Sequence, residues 1–290
     1  MNVTPPGGTP ERARAPQFVR GLYELRPWYH DFSALGLDTT FLRVPLTLGE
    51  RYRRSFEVAK SMLSRIVRLA HTGPFSKETA RSVQDVFGSV PSPHWLNQPV
   101  KQKHILRFIG RALSELPTQP ACLELFCADG YYSCRLATLS PQARVTGVDL
   151  DPDHILRAET IARCLGLQNL RFQQSDVGEF LAQASESYHL VLCAGGLYHS
   201  SAPRRLLEQI GRKAGGYVVL QSVVTLETED PDYFVQPAPG WQHGSRFTHA
   251  WLVRQMEELG WRVLDQARDE LPGNRRLHDR GTSFFLCRIT

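Results

Sequence analysis

The spacing of apolar positions changes near residue 120. Before it, apolar residues recur every three or four positions, the period of one buried helix face. Arg51 to Ala70 carries Tyr52, Phe56, Ala59, Met62, Leu63, Ile66 and Leu69 in that rhythm. Arg51, Arg54, Arg65 and Arg68 gather on the opposite side, a stripe that suits solvent, or alternatively RNA or a phosphorylated substrate. A further helical region follows Ser76, and Gly88 to Pro99, with three prolines in twelve residues, reads as a break. Val100 to Leu116 returns to helix, lined by Ile105, Phe108, Ile109, Ala112, Leu113 and Leu116, and Pro117 and Pro120 stop it. Leu22 to Thr40 has no sustained period. Its Trp28, Tyr29 and Phe32 fit an ordered loop or short helix packed against something else.

From Ala121 the pattern becomes short apolar runs alternating with amphipathic stretches. Strands are expected at 121–126, 143–148, 170–174, 188–194 and 216–223, with helices at 131–139, 153–165, 177–185 and 202–214. That alternation predicts a parallel sheet with helices on both faces, and such sheets bind ligands at the carboxyl ends of their strands. Cys127 to Gly130, Asp149, Asp176 and Gly195 to His199 fall there. Thr225 to Gly244 is irregular, acidic at first, then rich in Pro and aromatics. Thr248 to Leu259 is helical and ends at Gly260, a residue suited to a left-handed cap. Trp261 to Leu264 and Ser283 to Ile289 read as an antiparallel pair at the sheet edge, separated by polar Leu271 to Arg280. The expected class is α/β, a Rossmann-like doubly wound sheet with an antiparallel edge pair and an N-terminal helical extension. The expected division is a disordered leader (1–20), a helical cap or substrate lid (21–116) and a core domain (117–290) with a substrate insert near 225–247.

Composition narrows this modestly. A chain of 290 residues, 42% hydrophobic and 22% charged, suits one large globular domain or a core with an addition. No apolar run approaches the roughly 18 residues of a membrane span, and Met1 to Pro16 has no apolar core like that of a secretory signal. These features fit a cytoplasmic protein. Cysteines 122, 127, 134, 164, 193 and 287 form no CxxC pair, which favours free thiols over a zinc site. A net charge of +5 permits an acidic partner without requiring one.

The chemistry centres on Ala121 to Ser133. A buried strand leads to a turn closing on Gly130, a helix follows, and nineteen residues past Gly130 the next strand ends in Asp149. Strand, glycine turn, helix, strand and terminal acid make a nucleotide-binding unit: backbone approaches the ligand at the glycine, and the acid accepts from ribose hydroxyls. An adenosine-containing cofactor is expected. The dinucleotide pattern G-x-G-x-x-G is absent.

With Glu124 inside the first strand, Asp149 ending the second and Asp176 after the third, the chain resembles class I S-adenosylmethionine-dependent methyltransferases. The resemblance implies S-adenosyl-L-methionine as cofactor. The turn, Phe126, Cys127, Ala128 and Gly130, would sit at its methionine part, Asp149 and Leu150 at its ribose, and Asp176 and Val177 at its adenine, with Ala194 and Tyr198 closing the site. Two of the family's turn glycines are replaced here by Phe126 and Ala128, where side chains restrict positive φ. Closer still is a similarity to the tRNA wobble-uridine carboxymethyltransferase branch, carried by Pro27-Trp28-Tyr29-His30, Gly36-Leu37-Asp38-Thr39, Gln98 to Phe108 and Gly195-Gly196-Leu197-Tyr198-His199. It implies a cofactor contact for Lys101 and a cofactor-carboxylate contact for Arg280. His30 stands where that branch has a lysine for a carboxylated cofactor, so the ordinary cofactor is expected. The segment between Thr40 and Gln98 departs from the branch and would form the lid.

The expected reaction is methyl transfer to an oxygen or nitrogen nucleophile of a small molecule such as a natural product, glycan or lipid intermediate. An RNA acceptor of the tRNA wobble-uridine type and a non-catalytic cofactor-binding role are the alternatives. Candidate bases are His199 and His30, then His94 and His243; His243 and His249 read as surface residues. His199 equally suits a structural role bonded to nearby backbone. Trp28, Tyr29, Trp95, Phe234 and Trp241 suit either an acceptor wall or plain packing.

Overall fold

The computed structural model describes residues 21, 22, 25, 28–39 and 93–289. The expected leader, the helix Arg51 to Ala70, the helical region after Ser76 and most of the expected lid lie outside them, as do the side chains of Pro93, His94 and Trp95.

Seven strands form one sheet in the order β3-β2-β1-β4-β5-β9-β8. They are β1 Ala121–Leu125, β2 Arg144–Asp149, β3 Leu170–Gln174, β4 Tyr188–Ala194, β5 Ala214–Val224, β8 Arg262–Glu270 and β9 Gly281–Arg288. The first five are parallel, and β9 inserts antiparallel between β5 and β8. A two-stranded ribbon, β6 Phe234–Val235 with β7 Arg246–Phe247, lies within the expected substrate insert. Helices α1 Pro93–Ser114, α2 Tyr131–Leu139, α3 Pro152–Cys164, α4 Val177–Gln183, α5 Pro203–Lys213, α6 His249–Glu258 and α7 Leu277–Arg280 complete the described elements.

Strand alternation decides what each face carries. Leu123, Leu125, Val191, Cys193, Val218, Leu220, Phe285 and Cys287 face one way and form a continuous core with Phe180 and Leu181 of α4, Leu207 and Ile210 of α5, and Leu252 and Met256 of α6. The opposite face carries Glu124, Leu192, Val219 and Gln221, aligned through the registers Glu124↔Leu192 and Leu192↔Val219. Helix α1 covers the edge of that face, with His104 against Phe284 at 4.6 Å between ring centres.

Two expectations are corrected. Of the break expected over Gly88 to Pro99, residues 88–92 lie outside the described residues, and residues 93–99 belong to α1, with Pro99 inside the helix. A proline there removes one backbone bond near the helix start; buried Ile105, Phe108, Ile109 and Ala112 anchor the helix regardless. The strand expected at Trp261 to Leu264 runs on to Glu270. Asp265, Gln266, Arg268, Asp269 and Glu270 gave no apolar signal because β8 is an edge strand with one neighbour and a largely solvated surface. Leu22 to Thr40 does pack: Trp28 and Phe32 are buried, and Trp28 Nε1 donates to Leu22 O at 2.8 Å.

Candidate active site

The carboxyl ends of β1, β2, β4 and β5 open into a cavity of about 510 Å³. That is within the roughly 300–1,000 Å³ usual for small-ligand sites.

One side is the turn after β1. Cys127 N–H donates to Val148 O at 3.0 Å, Gly130 N–H to Cys127 O at 2.8 Å and Ala128 N–H to Asp149 Oδ2 at 2.9 Å, so the path is fixed by backbone and the β2 acid. Three residues of the turn have positive φ: Phe126 at 58°, Ala128 at 48° and Gly130 at 78°. The sequence suggests that side chains exclude this conformation at 126 and 128. Both adopt it, at a backbone cost of about 1–2 kcal/mol each. Gly130 has a second reason to be glycine, because a Cβ there would lie 2.7 Å from the Phe172 ring and 2.8 Å from Ala158 Cβ. Phe126 is accommodated elsewhere. Its ring occupies the space in which a Cβ on Gly196 would lie, 1.8 Å from the nearest ring atom. The strand-four loop thus supplies the missing side chain that lets the turn carry a phenyl ring.

Three acids crowd this side. Asp129, fully buried, accepts from Tyr29 N–H (2.8 Å) and His30 N–H (2.7 Å) on one oxygen and meets His30 Nδ1 at 2.6 Å on the other. His30 also stacks on Tyr131, with centroids 4.8 Å apart. Asp149 accepts from Ala128 N–H, Asp151 N–H and His154 Nδ1. Burial alone would raise its pKa, but bonds from His154, Asp151 and Ala128 hold it below 3.8, while the bond to Asp149 raises the pKa of His154. Glu124 is 2% exposed and is bonded by Ser133, through its hydroxyl and its backbone. Burial pushes its carboxyl up to about 8, with repulsion from Asp129 and Asp149 adding to the effect.

The other side is built from residues far apart in sequence. Arg246, 4% exposed, directs Nε (2.8 Å) and Nη2 (2.7 Å) at Asp279 Oδ1, and its Nη1 donates to Ser245 O at 2.7 Å. Arg276 Nε donates to the other Asp279 oxygen at 2.7 Å. Asn97 bonds Asn274 (3.0 Å) and Gly273 N–H (2.8 Å), joining α1 to the segment before α7. Ser245 N–H and Ser245 Oγ hold the strand-four loop through Tyr198 O (3.0 Å) and Ser200 O (2.9 Å). His199 stands on that loop at the cavity rim. Loss of hydration, together with Arg246, His243 and Lys101, lowers its pKa from 6.5 to about 4. Solvent still reaches more than a third of the residue, which moderates the shift without changing its sign, and the ring is neutral at pH 7.

Of the residues expected from sequence, His30, Lys101, Glu124, Phe126, Cys127, Ala128, Asp149, Ala194, Tyr198 and His199 line this one cavity. Gly130, Leu150, Asp176 and Val177 do not. Gly130 packs behind the turn, Leu150 is 63% exposed, and Val177 is in the core. Asp176 is exposed and caps α4, accepting from Glu179 N–H at 3.0 Å. Arg280 pairs with Glu270 at 2.6 Å, off the cavity; Arg275 and Arg276 line it instead. Among the aromatics, Tyr29 and Trp241 reach the cavity, whereas Trp28 packs on Phe32 and Phe234 on Trp251. His249 bonds Ser283 at 3.0 Å and stacks on Phe285. Sequence reasoning missed Gln221, Arg246, Arg276 and Asp279, which carry no motif. The only available signal was their position near the ends of β5, β7 and β9.

A methyltransferase-domain family model matches residues 119–259. Over 154 residues the chain is 30% identical to a tRNA (guanine-N(7)-)-methyltransferase of Rubrobacter xylanophilus, covering 47% of this chain and 69% of that protein. The chain belongs to the class I S-adenosylmethionine-dependent methyltransferases. To a tRNA U34 carboxymethyltransferase of Desulfotalea psychrophila it is 28% identical over 142 residues, 47% of this chain and 41% of that protein. Magnesium protoporphyrin IX methyltransferase from Synechocystis, solved with bound SAH, shares the fold at a TM-score of 0.53 and 14% identity, covering 70% of this chain and 90% of that one. The chain spans from 16% to 69% of the length of the first four curated relatives it matches.

The cofactor of this methyltransferase is S-adenosylmethionine. The cavity residues fit it. Asp149 at the end of β2 lines the cavity, as do the backbone turn and Glu124, a carboxyl with no cation bonded to it among the described residues. Buried Tyr132 Oη has no hydrogen-bond partner among the described residues. When bound, this cofactor supplies an electrophilic methyl group on a positively charged sulfur. No described helix is long and apolar enough to cross a membrane.

Proposed function

We propose that this methyltransferase acts on an oxygen or nitrogen nucleophile of a small molecule. Asp149 takes the ribose of the cofactor, and the turn with Glu124 and Phe126 takes its methionine part. The acceptor lies between the strand-four loop and the wall formed by Trp241, Arg246 and Arg276. The observation that supports this reading is the far wall: Trp241, Arg246, Arg276 and Asp279 line, with the strand ends, a cavity of about 510 Å³, a size suited to a small ligand. His199, neutral at pH 7, is the candidate base; a base is needed only when the acceptor holds its proton.

The test is label transfer from methyl-tritiated S-adenosylmethionine into cell extract separated into small-molecule and RNA fractions. Label in the small-molecule fraction is expected. Ribonuclease-sensitive label in the RNA fraction would overturn the reading in favour of the second one, an RNA acceptor. That second reading is favoured by the relatives named for tRNA and 23S rRNA methylation. It also predicts tRNA binding that weakens steeply with salt, because phosphate contacts release counterions.

A further inference from the structure

Gln221 is fully buried on β5 and faces the cavity on the same side of the sheet as Glu124. Its amide nitrogen donates to Thr282 Oγ1 at 2.8 Å, and that hydroxyl lies 3.3 Å from Ser222 O. The amide oxygen is left without a partner among the described residues. A buried acceptor in that state costs about 1–3 kcal/mol, which a ligand hydrogen would recover.

The surroundings say which ligand group suits it. A Cβ on Gly195 would lie 3.8 Å from Gln221 Oε1 and 3.7 Å from Lys101 Nζ, so the bare glycine leaves a slot flanked by an acceptor and a cation. Arg246 and Arg276 already spend donors on Asp279 and offer that slot little. A carboxylate could accept from Lys101 Nζ but would oppose lone pair to lone pair at Gln221, whereas a hydroxyl or neutral amine can accept from the one and donate to the other. A hydroxyl or amine gives the oxygen its hydrogen.

We propose that Gln221 Oε1 receives the O–H or N–H of the acceptor's nucleophilic group and thereby selects hydroxyl- and amine-type acceptors over carboxylates. This rests on the methyltransferase reading above. In the transfer, the nucleophile forms its bond to the methyl carbon as the carbon–sulfur bond breaks. The sulfur takes that electron pair and becomes a neutral thioether. The acceptor's hydrogen leaves as a proton to solvent at the rim or to neutral His199, since an amide oxygen is too weak a base to keep it.

The experiment uses the full chain loaded with S-adenosylhomocysteine and three matched probes, phenol, aniline and benzoate, titrated by NMR. Aromatic probes suit a cavity with Tyr29, Tyr132, Tyr198 and Trp241 in its lining. Phenol and aniline are expected to bind at least tenfold more tightly than benzoate. Gln221→Leu should reduce that preference below threefold with S-adenosylhomocysteine affinity unchanged, and Gln221→Glu, which keeps an acceptor in place, should retain it. Equal binding of the three probes, no binding of any, or a preference that survives Gln221→Leu overturns the proposal. So does a tenfold loss of S-adenosylhomocysteine affinity in Gln221→Leu, which would assign the residue to the cofactor, or a fall in melting temperature with no change in preference, which would make it structural. Failure of wild type to bind S-adenosylhomocysteine at all would instead overturn the methyltransferase reading.

Discussion

The two walls of the cavity are built on different principles. The wall proposed for the cofactor uses one contiguous run, residues 124–149, whose path is set by backbone bonds such as Cys127 N–H to Val148 O and Ala128 N–H to Asp149. The wall proposed for the acceptor uses side chains drawn from α1, β7 and the segment before β9, joined by Arg246–Asp279–Arg276 and Asn97–Asn274. A backbone-built wall accepts changed side chains provided the path survives, which is how Phe126 and Ala128 replace glycines. A side-chain-built wall changes shape with each substitution.

Substitutions on each side should have separable effects. The largest is expected from Gly196→Ala, whose Cβ would overlap the Phe126 ring at 1.8 Å. Overpacking of this kind should cost about 3 kcal/mol and abolish S-adenosylhomocysteine binding. Adding Phe126→Ala should restore most of both, and a double-mutant cycle with no coupling would dissolve the pairing. Asp149→Ala should weaken S-adenosylhomocysteine on the order of a hundredfold, the worth of about 3 kcal/mol of charged hydrogen bonding, while circular dichroism stays native. Unchanged affinity by calorimetry would remove Asp149 from the ribose. Asp279→Ala leaves Arg246 buried beside no carboxylate and should cost about 3 kcal/mol in urea unfolding. Cofactor affinity should hold within threefold; a parallel loss would mean that the two walls are one unit.

His199→Ala should lower label transfer into extract acceptors about tenfold more than it lowers cofactor affinity. Equal losses would make the loop merely structural. The smallest effect concerns pH. Glu124 keeps its proton in the folded chain up to about 8, against 4.5 for an ordinary solvated glutamate, so the folded state binds more protons in that window. Its contribution to stability is fully present below about 4.5 and is lost as pH rises through about 8. Glu124→Gln should therefore show a shallower decline in melting temperature from pH 5 to 8 than wild type. Parallel curves would indicate a carboxylate already ionised in the fold.

The sequence made the sheet legible because parallel strands buried on both faces leave apolar runs that helices must separate; β4 begins and ends where the pattern placed it. Asp149 and the turn were legible for the same reason, since strand ends set their positions. The Arg246–Asp279–Arg276 cluster was not, because nothing local in Arg246 or Asp279 announces a partner 33 residues away. The course of α1 through Pro99 was hidden because tertiary packing outweighed a local breaking signal. Phe126 misled in a useful way. Its identity argued against a left-handed turn, and only the contact with Gly196 reveals where the room comes from.

That contact has a consequence for changing what the enzyme accepts. The phenyl ring belongs to the cofactor turn, yet the space it fills belongs to the loop carrying Tyr198 and His199. Trimming the ring to enlarge the acceptor chamber would also slacken the turn, and enlarging residue 196 to narrow that chamber would push on the turn. On the proposed reading, substrate scope and cofactor grip are geared together at this point, so evolution or an engineer must move both residues in one step or leave both alone.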